Sequence, residues 1–362
     1  MEYRPGLEGI VAAETALSLI DGENGGLLFR GHPAGELARN RSFEEAAYFL
    51  WYGSFPDAEK RAGFSKSLAG YRHLPAHVKH VIDHLPDDME IMAVLRTAIS
   101  AFGVVDTNWP PTVDEAMQLA AAMPTILAYH WRKQNDKAFV PPREDLGHTE
   151  NYLYMLTGKE PDESHVRALN AYLVMTMEHG LNASTFAARV ITSTESDLVS
   201  AVTGAIGAMK GPLHGGAPSG VIHMLNAIQT KENAEPWLRR ALENNERLMG
   251  FGHRVYKTED PRASALRDVT AKLSEEDAWF ALANHVEETA IRLLEEYKPG
   301  RRLYTNVEFY AAAILRAVQL PTDLYTPTFS ASRVVGWTAH ILEQAENNRI
   351  FRPKAAYTGP RP

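Results

Sequence analysis

The 362-residue chain has no cysteine, which removes disulfides, thiolate metal ligands and cysteine nucleophiles and fits a reducing compartment. It has no apolar run of membrane-spanning length, and Met1-Glu2-Tyr3-Arg4-Pro5 does not read as the start of a signal peptide. A soluble, cytoplasmic protein is expected. Positive charge is short: 37 Lys and Arg stand against 45 Asp and Glu, a formal net charge of -8, with no basic block. Nucleic acid therefore has no electrostatic invitation, and an anionic substrate would need basic residues gathered locally. Familiar catalytic signatures are missing too. There is no Walker loop, no dinucleotide fingerprint behind a strand and no Gly-x-Ser-x-Gly elbow. Glu178-His179-Gly180 lacks the second histidine of a zinc-protease helix, and no other segment has metal-ligand spacing. What remains is acid–base chemistry with neither metal nor redox cofactor.

Hydrophobic residues at 45% and charged residues at 23% are ordinary for a folded chain, and 362 residues suit one large domain with a smaller one beside it. Strand signals are scarce. Leu17-Ser-Leu-Ile20 and Leu27-Leu-Phe29, around the glycine-rich turn from Asp21 to Gly26, predict one hairpin. From Ser42 the pattern is helical, beginning with a Ser42/Glu45 capping box, and the class is mainly α. Pro124 lies inside the apolar stretch from Met117 to Tyr129 and is expected to kink or split that helix. A helix capped by Asp162 or Ser164 should run to Glu178, with Gly180 as its C-terminal cap and His179 at its end. The next, starting near Thr194 to Asp197, carries Ala201, Gly204, Ala205, Gly207 and Ala208, small enough for close helix packing. Composition shifts at Lys210, and the more charged region up to about Glu296 reads as the smaller domain. An apolar helix is expected from Tyr310 to about Val318, and a last one after Thr326-Pro-Thr-Phe-Ser330, opened by Arg333.

Four groups carry chemical potential. Gly250-Phe-Gly-His-Arg-Val-Tyr-Lys-Thr-Glu-Asp-Pro-Arg262 holds an imidazole, His253, and a guanidinium, Arg262, on a short irregular segment whose glycines allow close backbone approach. A histidine that titrates near neutrality beside an arginine that grips carboxylates suits a small organic acid; the bland alternative is a surface turn. Gly211-Pro-Leu-His214-Gly-Gly216 sets a second histidine in bent backbone. Glu308 lies between a polar loop and an apolar helix; alone it reads as a surface carboxylate, although burial would raise its pKa and make it a base. Arg333 and Arg352, taken singly, read as solvated. Together the histidines, carboxylate and arginines fit proton abstraction next to a carbonyl.

These segments resemble the citrate synthase family in its short bacterial form. The similarity runs through Glu178-His179-Gly-Leu-Asn-Ala-Ser-Thr-Phe186, Gly211-Pro-Leu-His214-Gly-Gly, Gly250 to Arg262, Asn306-Val-Glu308-Phe-Tyr, Ser332-Arg333-Val-Val-Gly-Trp-Thr-Ala-His340 and Ile350-Phe-Arg352-Pro, in the family's order and over essentially the whole chain. The resemblance implies a two-domain, mostly α homodimer with a small N-terminal β-hairpin. The large domain would comprise 1–210 and 314–362, and the small, mobile CoA-binding domain 211–313. It implies condensation of acetyl-CoA with oxaloacetate to citrate and CoA, the first step of the tricarboxylic acid cycle, with no cofactor, no nucleic acid and no membrane. Glu308 would abstract the methyl proton, His214 would hydrogen-bond the thioester oxygen and His253 would polarise the keto group. His179, Arg262 and Arg333 would hold oxaloacetate, with Arg352 reaching in from a partner subunit. Leu248, Met249, Gly250, Phe251, Gly252 and Lys257 would contact CoA. The family usually has Asp where this chain has Glu308. A rival reading within the class is 2-methylcitrate synthase, which would use propionyl-CoA, and a rival of another class is a helical dimer that has lost catalysis and only binds a metabolite or partner.

Overall fold

The structure, a computed structural model, describes residues 3–104, 109–215, 217–252, 256, 258–270 and 278–360. Helices dominate, as composition and periodicity lead one to expect, with sixteen α-helices among the described residues. The hairpin forms with strands β1 (Ser18–Asp21) and β2 (Gly26–Phe29), paired antiparallel from Ser18↔Phe29 to Asp21↔Gly26. A third strand, β3 (His32–Pro33), joins the edge of β2. Two residues ending in proline give no alternating pattern, so β3 was invisible in the sequence.

The Ser42/Glu45 capping box is present at the start of the helix Phe43–Tyr52, with both reciprocal bonds made. The helix around Pro124 does not split: Val113–Gln134 is one element of 22 residues with the proline inside it. The ring removes one backbone donor, but Ala116 to Ala128 is buried along most of its length, and core packing outweighs a single lost bond.

Two helices frame the middle of the molecule. Tyr325–Glu346 packs on Val113–Gln134 and on Ala183–Thr192, burying Trp337 completely. This last helix starts earlier than expected because Pro327 falls in its first turn, where a missing N–H costs nothing. Arg333 therefore sits mid-helix and buried, not at a solvated helix start. Leu198–Met209 lies against Ala183–Thr192 so closely that a Cβ at Gly204 would come within 2.2 Å of Ile191 Cδ1. The small-residue stripe is close helix packing, as read from its spacing.

One buried histidine gives the fold a pH signature. His148 stacks on Phe43 with ring centroids 4.0 Å apart, and burial, then the nearby Arg72 charge, drives its pKa from 6.5 down to about 3. The native state holds it neutral while the unfolded chain protonates it near 6.5. Its contribution is thus complete above that pH and is lost as pH falls towards 3. His148→Phe keeps the stacked ring without the titration. Between pH 7 and pH 4 the variant should lose about 3 kcal/mol less stability than the wild type. Urea unfolding across that range checks it, and parallel pH curves would remove His148 from the account.

Candidate active site

A cleft of about 650 Å³ collects His179, His214, Arg262, Glu308 and Arg333, five residues from five distant stretches of sequence. Each is delivered by a terminus, a turn or a packed helix. The helix before His179 ends at Thr176, short of the Glu178 expected. Arg333 Nε donates to Thr176 O at 2.7 Å, so the last turn's carbonyl is already claimed. Gly180 takes the positive φ of +59° expected of it, but as part of a loop beyond the helix, not as its cap.

His179 lies on that loop, half-buried, with Nε2 3.1 Å from Tyr256 Oη. Tyr256 is itself buried and stands 5.7 Å from the Arg262 guanidinium, ring centre to carbon. Arg262 opens the helix Pro261–Thr270 and is gripped by Asp260, Nε to Oδ1 at 3.0 Å and Nη2 to Oδ2 at 2.8 Å. Burial alone would depress the guanidinium; the carboxylate outweighs it and leaves its pKa raised, so Arg262 is a permanent cation. Asp260 also accepts from Val307 N at 3.0 Å, fastening the next helix, Val307–Ala317, to the same carboxylate.

That helix begins three residues earlier than expected because Asn306 caps it, Oδ1 accepting from Glu308 N. Glu308 thus stands in a helical first turn and faces the cleft, contrary to the isolated reading of a surface carboxylate. Burial raises its pKa, opposed mainly by Arg262. Arg333 is also far from solvated. Burial pulls its pKa to about 10, Glu178 being the main opposing charge, and its guanidinium lies 4.8 Å over the Phe329 ring.

His214 sits in the turn that ends at Gly215, where a Cβ would meet Met209 O at 2.3 Å, so the backbone can close only around glycine. Its Nε2 is 2.8 Å from Ser184 Oγ. That oxygen accepts Trp337 Nε1–H and has one proton to share between His214 and Asn182 Oδ1. Burial, then the Arg333 charge, lowers the His214 pKa to about 4, so the ring is neutral across the physiological range.

The predicted CoA loop is built into the same corner. Gly250 O accepts from Asn306 N, Gly252 N donates to Tyr304 O and Asn306 Nδ2 donates to Gly252 O, all within 2.8–2.9 Å. Gly250 and Gly252 both have positive φ, and a Cβ on Gly250 would strike Phe309 at 2.9 Å. Leu248 and Phe251 are buried. Beside this loop a groove of about 360 Å³ carries Arg247, Lys298 and Arg301. Arg352 is exposed beyond the last helix and is not among the residues lining this chain's own cleft. His253 and Lys257 lie outside the described residues.

Sequence reasoning missed Ser184, Tyr256 and Asp260. Tyr256 and Asp260 were in plain view inside the Gly250 to Arg262 segment, and a carboxylate two residues before an arginine was the available signal. The arrangement offers a half-buried carboxylate of raised pKa, a neutral imidazole and two guanidiniums able to bind carboxylates. Among the described residues no group of His, Asp and Glu could hold a metal ion.

A sequence model described as "Citrate synthase, C-terminal domain" matches residues 6–354. The chain is 42% identical to the citrate synthase of Haloferax volcanii, covering 99% of this chain and 96% of that one. It is 38% identical to the 2-methylcitrate synthase of Shewanella oneidensis, covering 99% and 95%. Among solved structures, the ternary complex of citrate synthase from Thermoplasma acidophilum with carboxymethyl coenzyme A and oxaloacetate superposes with a TM-score of 0.91 at 30% identity, covering 100% of this chain and 97% of that one.

Proposed function

The chain belongs to the citrate synthase family, and from that premise we propose that it condenses acetyl-CoA with oxaloacetate and water to give citrate and CoA. The observation that carries this reading is the convergence of Glu308, His214, Arg262 and Arg333 on one cleft. Glu308 removes a methyl proton from acetyl-CoA, its basicity raised by burial. His214, neutral, donates to the thioester oxygen and stabilises the enolate charge as it moves from carbon to oxygen. The tautomer this needs directs the Ser184 proton at Nε2 and leaves the hydrogen on Nδ1 for the substrate. The nucleophilic carbon attacks the keto carbon of oxaloacetate, whose oxygen is polarised and protonated by His253. His179, Arg262 and Arg333 hold the oxaloacetate, the arginines pairing with its carboxylates. Hydrolysis of the resulting thioester releases CoA. No cofactor enters this scheme.

The CoA moiety takes the loop Leu248, Met249, Gly250, Phe251 and Gly252, with Lys257 near the phosphates. The groove carrying Arg247, Lys298 and Arg301 adds cationic side chains where the sequence had suggested only Lys257. Residues 211–313 form the small domain and 1–210 with 314–362 the large one; closure after oxaloacetate binds assembles the acetyl-CoA site and excludes water. The exposure of Arg352 suits a side chain that completes the site of a partner subunit in a homodimer. No helix among the described residues is long and apolar enough to cross a membrane, and we place the enzyme in the cytoplasm.

A thiol-release assay tests the reading. Free CoA should appear only when acetyl-CoA and oxaloacetate are both present, and no release with either acyl-CoA would end the enzyme assignment. Propionyl-CoA is the necessary comparison because similarity extends to a 2-methylcitrate synthase and one methylene is worth about 1–3 kcal/mol in discrimination. We expect higher kcat/KM with acetyl-CoA; the reverse order makes the protein a 2-methylcitrate synthase.

A further inference from the structure

Behind the keto-acid half of the cleft runs a buried polar chain that the proposed chemistry does not use. Glu178 and His340 are both fully buried, and His340 Nε2 lies 3.0 Å from Glu178 Oε1. On its other side His340 Nδ1 accepts from Arg189 Nε at 3.0 Å. Arginine has only donors, so Nδ1 accepts and the ring proton on Nε2 is directed at Glu178. Arg189 is anchored in turn by Gln344 and Glu343. At the near end, Glu178 Oε1 also accepts from Ser18 Oγ in β1 and from Gly180 N. The carboxylate thus brackets His179: it belongs to the residue before and holds the amide of the residue after.

Its second oxygen, Oε2, is buried with no hydrogen-bond partner among the described residues, and it lies so near the last helix that a Cβ on Gly336 would come within 2.4 Å of it. An ionised carboxylate is costly in such a place unless charge elsewhere compensates. Arg333, one turn before Gly336 in the same helix, is the guanidinium whose charge Glu178 supports. We propose that Glu178, held by His340 and Arg189, is the positioning residue of the oxaloacetate half-site: it sets the His179 loop through Gly180 N and supplies the buried counter-charge for Arg333. Glu178 touches no substrate; it acts through those two residues.

The proposal rests on the citrate synthase reading, so oxaloacetate binding is measured by calorimetry without acetyl-CoA, beside steady-state kinetics. Wild type that binds no oxaloacetate overturns the reading and this inference with it. With wild-type binding established, Glu178→Gln should weaken oxaloacetate binding about 10-fold and raise its KM in proportion, leaving the KM for acetyl-CoA within about twofold. Ser18→Ala, which removes the hydroxyl that donates to Glu178 Oε1 and accepts from Gly180 N, should weaken binding about threefold and serves if Glu178→Gln does not fold. His340→Gln, able to donate to Glu178 and accept from Arg189, should retain more affinity than His340→Leu. Unchanged oxaloacetate affinity in Ser18→Ala and Glu178→Gln, or equal losses for both substrates, would overturn the assignment.

Discussion

Glu308→Gln should turn over acetyl-CoA about 1000-fold more slowly while binding oxaloacetate as tightly as the wild type. Gln keeps the length and polarity of the side chain but cannot take a proton, and Glu308 is the only carboxylate among the described residues that line the cleft. Burial raises its pKa above the ordinary 4.5, so wild-type activity should fall as pH drops through a value above 4.5, where the base becomes protonated. The variant should lack that acidic limb. Glu308→Asp asks a different question, because it keeps the base and shortens its reach. Displacing a reacting group by about 1 Å can cost on the order of 100-fold. Since Asn306 and Asp260 fix the first turn of the helix carrying Glu308, the backbone cannot simply follow a shorter side chain. We expect Glu308→Asp to lose about 10-fold in kcat, the longer residue being matched to this backbone. A faster Asp variant would mean that Glu is a handicap here.

His214→Ala should lower kcat by at least about 100-fold and leave the thermal melting temperature and the KM for oxaloacetate nearly unchanged. The reasoning turns on charge. Burial and Arg333 hold the imidazole neutral down to about pH 4, so in the proposed scheme it would donate a hydrogen bond to a developing enolate and contribute no formal positive charge. The pH dependence of kcat above pH 5 should accordingly reflect Glu308 and not His214. His253→Ala should cost a similar factor, on the role its motif implies. Near-normal turnover in His214→Ala would leave the enolate oxygen without its assigned donor.

Much of this was legible in the linear chain. Capping boxes, glycine turns and apolar spacing are local signals, so the helical class, the hairpin and the Ser42 helix start were readable. The segments bearing His179, His214, Arg262, Glu308 and Arg333 announced themselves by residue type and by resemblance. Misreadings came where a distant partner overrode a local rule. The helix before His179 stops at Thr176 because Arg333, 157 positions away, takes its carbonyl. Asp260, 47 positions back, accepts from Val307 N and adds a distant anchor to the Asn306 cap that starts the helix bearing Glu308 early. Of the two expectations for Pro124, the split does not occur because the surrounding core holds the helix together.

The sequence by itself determined which residues could carry the proposed chemistry, since glycine, histidine, arginine and carboxylate have properties that no fold changes in kind. Only the tertiary structure decided how those properties are set. Burial raised the pKa of Glu308, held His214 neutral and took Arg333 out of water, and each of these depends on side chains from other elements closing over the group. Desolvation and charge pairing act through space, and spacing along a chain does not record them.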